Sequence, residues 1–152
     1  MSVRAPGSVR EALHTWAVLD VPSVADLEGT WRPEFLRPLR HVAPAGLALL
    51  GLPRWEGKRF TGTAGANVVR RGRGDVEERL PMVLGIDASW ADARPAAVVS
   101  YAADAPRPWR WVRDEIRLLD TVSAIGLTFT DVPGGRRLGL PFLLHRTDDR
   151  LV

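Results

Sequence analysis

The chain has 152 residues, 45% of them hydrophobic and 26% charged, which fits one folded domain with a real core and excludes disordered or membrane-embedded compositions. The formal net charge is +3, and every cation except Lys58 is an arginine interspersed with acids, so no basic stripe points to DNA or RNA. Absence of cysteine excludes disulfides, thiolate metal sites and cysteine nucleophiles, and fits a reducing compartment.

No stretch approaches the roughly 20 apolar residues that span a bilayer. The N-terminal segment has Arg4, Arg10 and Glu11 where a signal peptide needs an apolar run. Cytoplasmic localisation without membrane insertion is the expectation. A single Lys, one Asn and no Gln beside abundant Arg, Ala and Gly look like the codon bias of a GC-rich bacterial genome.

Residues 1–7 are expected to be disordered. Ser8 and Glu11 form a capping box, and Leu13, Trp16 and Ala17 continue at helical spacing until Val21-Pro22, predicting a helix over 8–19. Ser23 caps a single turn through Leu27, and Thr30-Trp31 begins a strand. A second short helix is predicted over 39–50, ended by Gly51. After Pro53, short runs of Val, Trp, Phe, Thr and Leu alternate with Gly, Pro and Asp, the pattern of successive strands. Strands are predicted at 54–62, 65–71, 75–84, 96–102, 108–119, 123–130 and 138–146. The clearest hairpin turns are Gly72-Arg73-Gly74-Asp75 and Asp131-Val132-Pro133-Gly134-Gly135. No connection after residue 60 has the length and period of a crossover helix, so the strands should be antiparallel. A mainly β fold follows: a small antiparallel barrel over 28–146, preceded by a helical segment over 8–27.

Gly29-Thr30-Trp31 after a short helical turn resembles the Gly-x-Trp opening of lipocalin-like barrels. More narrowly, three segments look like the GXWXG family of uncharacterised bacterial proteins: Leu27-Glu28-Gly29-Thr30-Trp31-Arg32, then Gly51 to Phe60, then Arg113 to Asp120 with Ile125-Gly126-Leu127. Pro33 stands where the name-giving motif has its second Gly. The resemblance implies a lipocalin-like barrel whose interior holds a small, largely apolar ligand. In such a barrel Trp31 plugs the closed end, with Arg146 or Arg137 as the cation covering its ring.

Strand alternation supplies candidate acids. Asp114 shares a face with Val112, Ile116 and Leu118, while Trp109, Trp111, Arg113, Glu115 and Arg117 share the other. The same parity groups Glu78 with Val76, Leu80 and Met82. Two inward acids could perform acid or base chemistry if burial raises a carboxyl pKa; alternatively one or both satisfy a buried Arg or backbone amides, or parity slips at a bulge or at Pro81. Trp55, Trp90, Trp109 and Trp111 fall where a barrel mouth would lie and are candidate ligand contacts or plain core. Tyr101 adds a hydroxyl that needs a partner if buried.

His14, His41 and His145 have no partner at metal-ligand spacing. His145 is a candidate ligand-binding residue on the last strand, and the wider barrel group includes haem-holding members, which would make it an axial ligand. A strand histidine is more often hydrogen-bonded at the surface. No nucleophilic-serine or phosphate-loop motif occurs, and Arg73-Gly74-Asp75 reads as a charged hairpin turn. No cofactor or metal is therefore expected. The reading is a barrel that binds a small hydrophobic molecule, compatible with a homodimer. One alternative is a cofactor-independent cyclase or isomerase of natural-product biosynthesis, acting on a polyketide- or terpene-like substrate through Asp114 or Glu78; another is a structural or interaction module whose barrel is filled by side chains and has no cavity.

Overall fold

The computed structural model describes residues 3–37 and 52–147, and in it eight antiparallel strands close into a barrel. They are β1 Gly29–Phe35, β2 Trp55–Thr61, β3 Ala64–Arg71, β4 Asp75–Ala88, β5 Pro95–Tyr101, β6 Val112–Leu118, β7 Ser123–Thr130 and β8 Leu140–Arg146. Each strand pairs with its successor, and β8 returns to β1 with Trp31 opposite Arg146. Closure leaves no unpaired sheet edge. The predicted second helix over 39–50 lies outside the described residues. Among those residues no helix is long and apolar enough to cross a membrane.

Helix α1, Val9–Trp16, starts where the capping box placed it: Ser8 Oγ accepts the Glu11 amide and Glu11 accepts the Gly7 amide at 2.8 Å. Its buried face carries Ala12 and Trp16 onto the outer surface of the barrel, against Ile125, Leu127, Phe129 and Leu143. Of residues 1–7, expected to be disordered, Val3 packs on this outer cluster and Pro6 is buried. A 3-10 turn over Ala25–Leu27 follows, with Ser23 Oγ accepting the Asp26 amide at 3.2 Å.

The interior is a second cluster, built from Trp31, Phe60, Val69, Leu84, Val99, Ile116 and Leu144 among others. Two barrel faces therefore carry hydrophobic side chains where α1 covers the outside, so β6 and β7 are buried almost throughout. The strict alternation of a strand with one wet face is lost there.

Two irregularities decide which polar side chains point inward. In β2 the register shifts between Trp55 and Gly57, so Trp55 and Lys58, three positions apart, both reach the interior. Gly57 makes this possible: its φ is +148°, and a Cβ there would lie 1.8 Å from the Trp31 carbonyl oxygen. In the β3–β4 pairing, the one residue between Gly65 and Asn67, Ala66, opposes the two between Arg79 and Met82, Leu80 and Pro81, with Leu80 at a φ of +54°. That extra residue reverses the parity of the first half of β4.

Candidate functional site

Five strands bring a polar cluster into the apolar interior. Lys58 from β2 is opposite Asn67 of β3, while Asp114 of β6 is opposite Val99 of β5 and Thr128 of β7; cross-strand partners share a face. Lys58 Nζ lies 2.9 Å from Asp114 Oδ2, with both residues 3% exposed. The same ammonium donates to Asn67 Oδ1 and to Tyr101 Oη, each at 3.2 Å. Asn67 Nδ2 donates to Tyr101 Oη at 3.1 Å, Trp55 Nε1 donates to Asn67 Oδ1 at 3.1 Å, and Thr128 Oγ1 donates to Asp114 Oδ1 at 2.7 Å. Trp109 packs its ring against Tyr101, centroids 5.6 Å apart.

Electrostatics keeps Lys58 charged. Burial is the largest influence on Lys58 and opposes its charge, but the Asp114 carboxylate and Tyr101 reverse it and hold the ammonium well above the ordinary lysine range. Burial also pushes the Tyr101 hydroxyl upward; the Lys58 charge pulls the other way without cancelling the effect. Tyr101 thus stays a neutral phenol beside a charged lysine.

The end of the barrel where β1 begins is shut. Trp31 is fully buried, its Nε1 donating to the Leu27 carbonyl at 2.9 Å, and the Arg146 guanidinium lies 4.4 Å from its ring centre. Arg146 also donates to the carbonyls of Asp26 and Glu28, which ties the 3-10 turn across that end. Of the two cations expected over Trp31, the structure selects Arg146. The opposite end carries Phe35, Trp55, Tyr101 and Trp109, and Phe35 and Trp55 are 5.9 Å apart.

The candidate residues divide accordingly. Asp114, Tyr101, Trp55 and Trp109 meet in the interior. Glu78 does not: the extra residue at Leu80 turns it outward, where its side chain is 54% exposed and paired with Arg59 at 3.0 Å. Trp109 and Trp111, expected on a strand, form a 3-10 turn after Pro106 and Pro108; Trp111 faces solvent beside Arg107 and Arg110. Trp90 packs on the outside, edge-on to Phe129 and between the guanidinium groups of Arg113 and Arg136. His145 is opposite Arg32 on the outer face of β8 and pairs with Glu34 at 2.6 Å, so it cannot serve as an axial ligand inside the barrel. Among the described residues no cluster of His, Asp or Glu could hold a metal ion.

The outward face of β6 is also charged and buried. Arg117 is fully buried, lies 4.4 Å from the Trp16 ring centre and donates to Asp92 at 2.7 and 2.9 Å. Glu115 accepts from the Trp90 amide and from Arg113. These groups lock α1 and the 89–94 loop to the barrel and have no route to its interior.

Lys58 and Asn67 were absent from the candidates. The signal was compositional: they are the only lysine and the only asparagine of the chain, and both touch its only tyrosine. A surface groove of about 610 Å³ on the outside of β1 to β4 is lined by Arg32, Arg59 and Arg70, two of which are neutralised by Glu78 and Glu56.

No protein-family model matches the chain, and no curated protein matches it. A solved crystal structure of a protein from Thermomonospora curvata is similar to it, with a TM-score of 0.68 and 23% identity over 89% of this chain and 84% of that one. At that identity the likeness shows the fold: an eight-stranded antiparallel barrel.

Proposed function

We propose that the barrel holds a small, largely apolar molecule in its interior and orients it against the cluster of Lys58, Asp114, Asn67 and Tyr101. The observation that carries the reading is the charge pair itself, buried at 3% exposure among Trp31, Phe60, Val99 and Ile116. A buried ion pair contributes little to stability compared with apolar side chains of equal volume, so a core that serves packing alone gains nothing from one. A ligand with one polar group in an apolar body makes use of both parts of such an interior. Entry is assigned to the end bearing Tyr101 and Trp109, since Trp31 and Arg146 close the other. Kinship with the GXWXG family is part of the same reading; its three resembling segments carry Trp31, Lys58 and Asp114.

Native mass spectrometry of protein purified from its own cells tests this. A retained small molecule is expected in the natural protein, and a Lys58→Met, Asp114→Leu double variant should lose it while remaining folded. Protein that carries no small molecule, or a variant that retains it equally, contradicts the reading. A second reading, a cofactor-independent isomerase or cyclase of polyketide- or terpene-like substrates, is favoured by the inward carboxylate of Asp114 alone. There Asp114 would move a proton while the barrel holds the reactive shape, and the retained molecule would be converted on incubation.

A further inference from the structure

The hydrogen-bond balance of the cluster says what kind of polar group it accepts. An ammonium has three N–H donors, and Lys58 spends all three, on Asp114 Oδ2, Asn67 Oδ1 and Tyr101 Oη. Asn67 Oδ1 also shares the single hydrogen of Trp55 Nε1 with the Gly57 carbonyl, at 3.1 and 2.8 Å. Its orientation is fixed, because the flipped amide would aim its own N–H donors at Lys58 and Trp55, which can only donate. Asn67 Nδ2 gives one of its two hydrogens to Tyr101 Oη. The phenolic oxygen therefore accepts twice, from two groups that cannot accept in return. Asp114 is engaged by Lys58 and Thr128.

Two hydrogens remain without an acceptor among the described residues: the Tyr101 O–H and the second N–H of Asn67. Both belong to side chains at most 8% exposed, where an unmade hydrogen bond is costly. No acceptor capacity is left over on Asn67 to match them. The charges of Lys58 and Asp114 already cancel, so an added anion or ammonium would be an uncompensated buried charge.

Building on the proposed interior site, we infer that its ligand presents a neutral acceptor oxygen, the carbonyl of a ketone, ester or lactone, to Tyr101 Oη and Asn67 Nδ2. The phenol remains a donor across the neutral range because burial opposes its ionisation. The rest of the molecule lies against apolar walls, so the class is an apolar carbonyl compound; a hydrocarbon lacks the group that answers the two donors, and an amine carries the wrong one.

The test uses the full chain and matched probes: camphor with its hydrocarbon bornane and its amine bornylamine, and the linear pair undecanone and undecane. With ketones ¹³C-labelled at the carbonyl, the bound signal should move downfield from its position in hydrocarbon solvent, as it does when the oxygen accepts hydrogen bonds. Tyr101→Phe should lower the ratio of ketone to hydrocarbon affinity about 3- to 10-fold, the fold-change of one neutral hydrogen bond. A bound carbonyl signal at its hydrocarbon-solvent position overturns the inference, even if the variant fails to fold. So does a Tyr101→Phe protein in which that ratio is unchanged, or a natural protein that prefers bornylamine. A natural protein that binds neither ketone nor hydrocarbon refutes the interior site itself and the inference with it, whereas hydrocarbon binding without any ketone preference leaves the site standing and removes only the inference.

Discussion

Asp114→Asn isolates the charge at the centre of the barrel while keeping shape and the Thr128 contact. In the natural protein the ammonium of Lys58 is 3% exposed and 2.9 Å from the carboxylate. Removing one partner of a buried pair leaves the other charged and uncompensated, at a cost of about 3–5 kcal/mol at neutral pH. The pH dependence gives a second, sharper signature. Lys58 is raised above its ordinary value of 10.5 in the natural fold, so the stability it contributes is fully present below 10.5 and is lost as pH rises through the folded value. In the variant, burial acts without Asp114 to oppose it and Lys58 falls below its ordinary value. The unfolded chain then binds more protons across the interval, and stability rises with pH, with a limiting slope of ~1.4 kcal/mol per pH unit. Because the chain has one lysine and one tyrosine, few other groups titrate in this range. Urea unfolding at about pH 7 and pH 9.5 is the assay. A loss below ~1 kcal/mol, the value of an exposed pair, or parallel pH profiles for the two proteins would refute the buried-pair account.

Trp31→Ala should cost roughly 3–5 kcal/mol by denaturant unfolding, since the ring is fully buried under Arg146; a change within ~0.5 kcal/mol would mean the ring plugs nothing. Asp92→Asn should cost about 1.5–3 kcal/mol at neutral pH. The hydrogen bonds from Arg117, ahead of the backbone amide of Arg94, hold the Asp92 carboxyl below its usual range despite partial burial. Its stabilisation is therefore present above the ordinary carboxylate pKa and lost as pH falls through the depressed one, so the gap between variant and natural protein should close in acid; a gap constant with pH contradicts this. Glu78→Gln should change stability by less than ~0.5 kcal/mol and leave ligand binding untouched, as befits an exposed pair with Arg59.

Much of the frame was legible in the residues. Ser8 and Glu11 announced α1, Gly29-Thr30-Trp31 the closed end, and the alternation of Val112, Asp114, Ile116 and Leu118 the inward carboxylate. What escaped depends on single-residue irregularities. Glu78 was assigned inward by a parity that the extra residue at Leu80 reverses, and Lys58 was hidden because the Trp55–Gly57 shift puts it on the face of Trp55 rather than opposite. The burial of Glu115 and Arg117 on the outer face of β6 was not legible, because local sequence cannot show that α1 and the 89–94 loop will cover them. Trp90 and Trp111 have the composition of a binding mouth, yet arginines of the outer surface take both. The lone lysine and lone asparagine read as codon bias, and only the shifted register of β2 against β3 shows that they meet.

With one asparagine and no glutamine, the chain has a single side-chain carboxamide, so a ¹H–¹⁵N correlation spectrum contains one NH₂ pair, that of Asn67 at the centre of the cluster. In the free protein its two protons should be strongly inequivalent, one bonded to Tyr101 and protected from exchange. Titration with an apolar ketone that binds should move the second proton downfield to saturation in step with the ligand's own signals. An Asn67 pair that exchanges freely with water, or that stays in place while a bound ketone saturates the protein, would contradict the assignment of the barrel interior as the binding site.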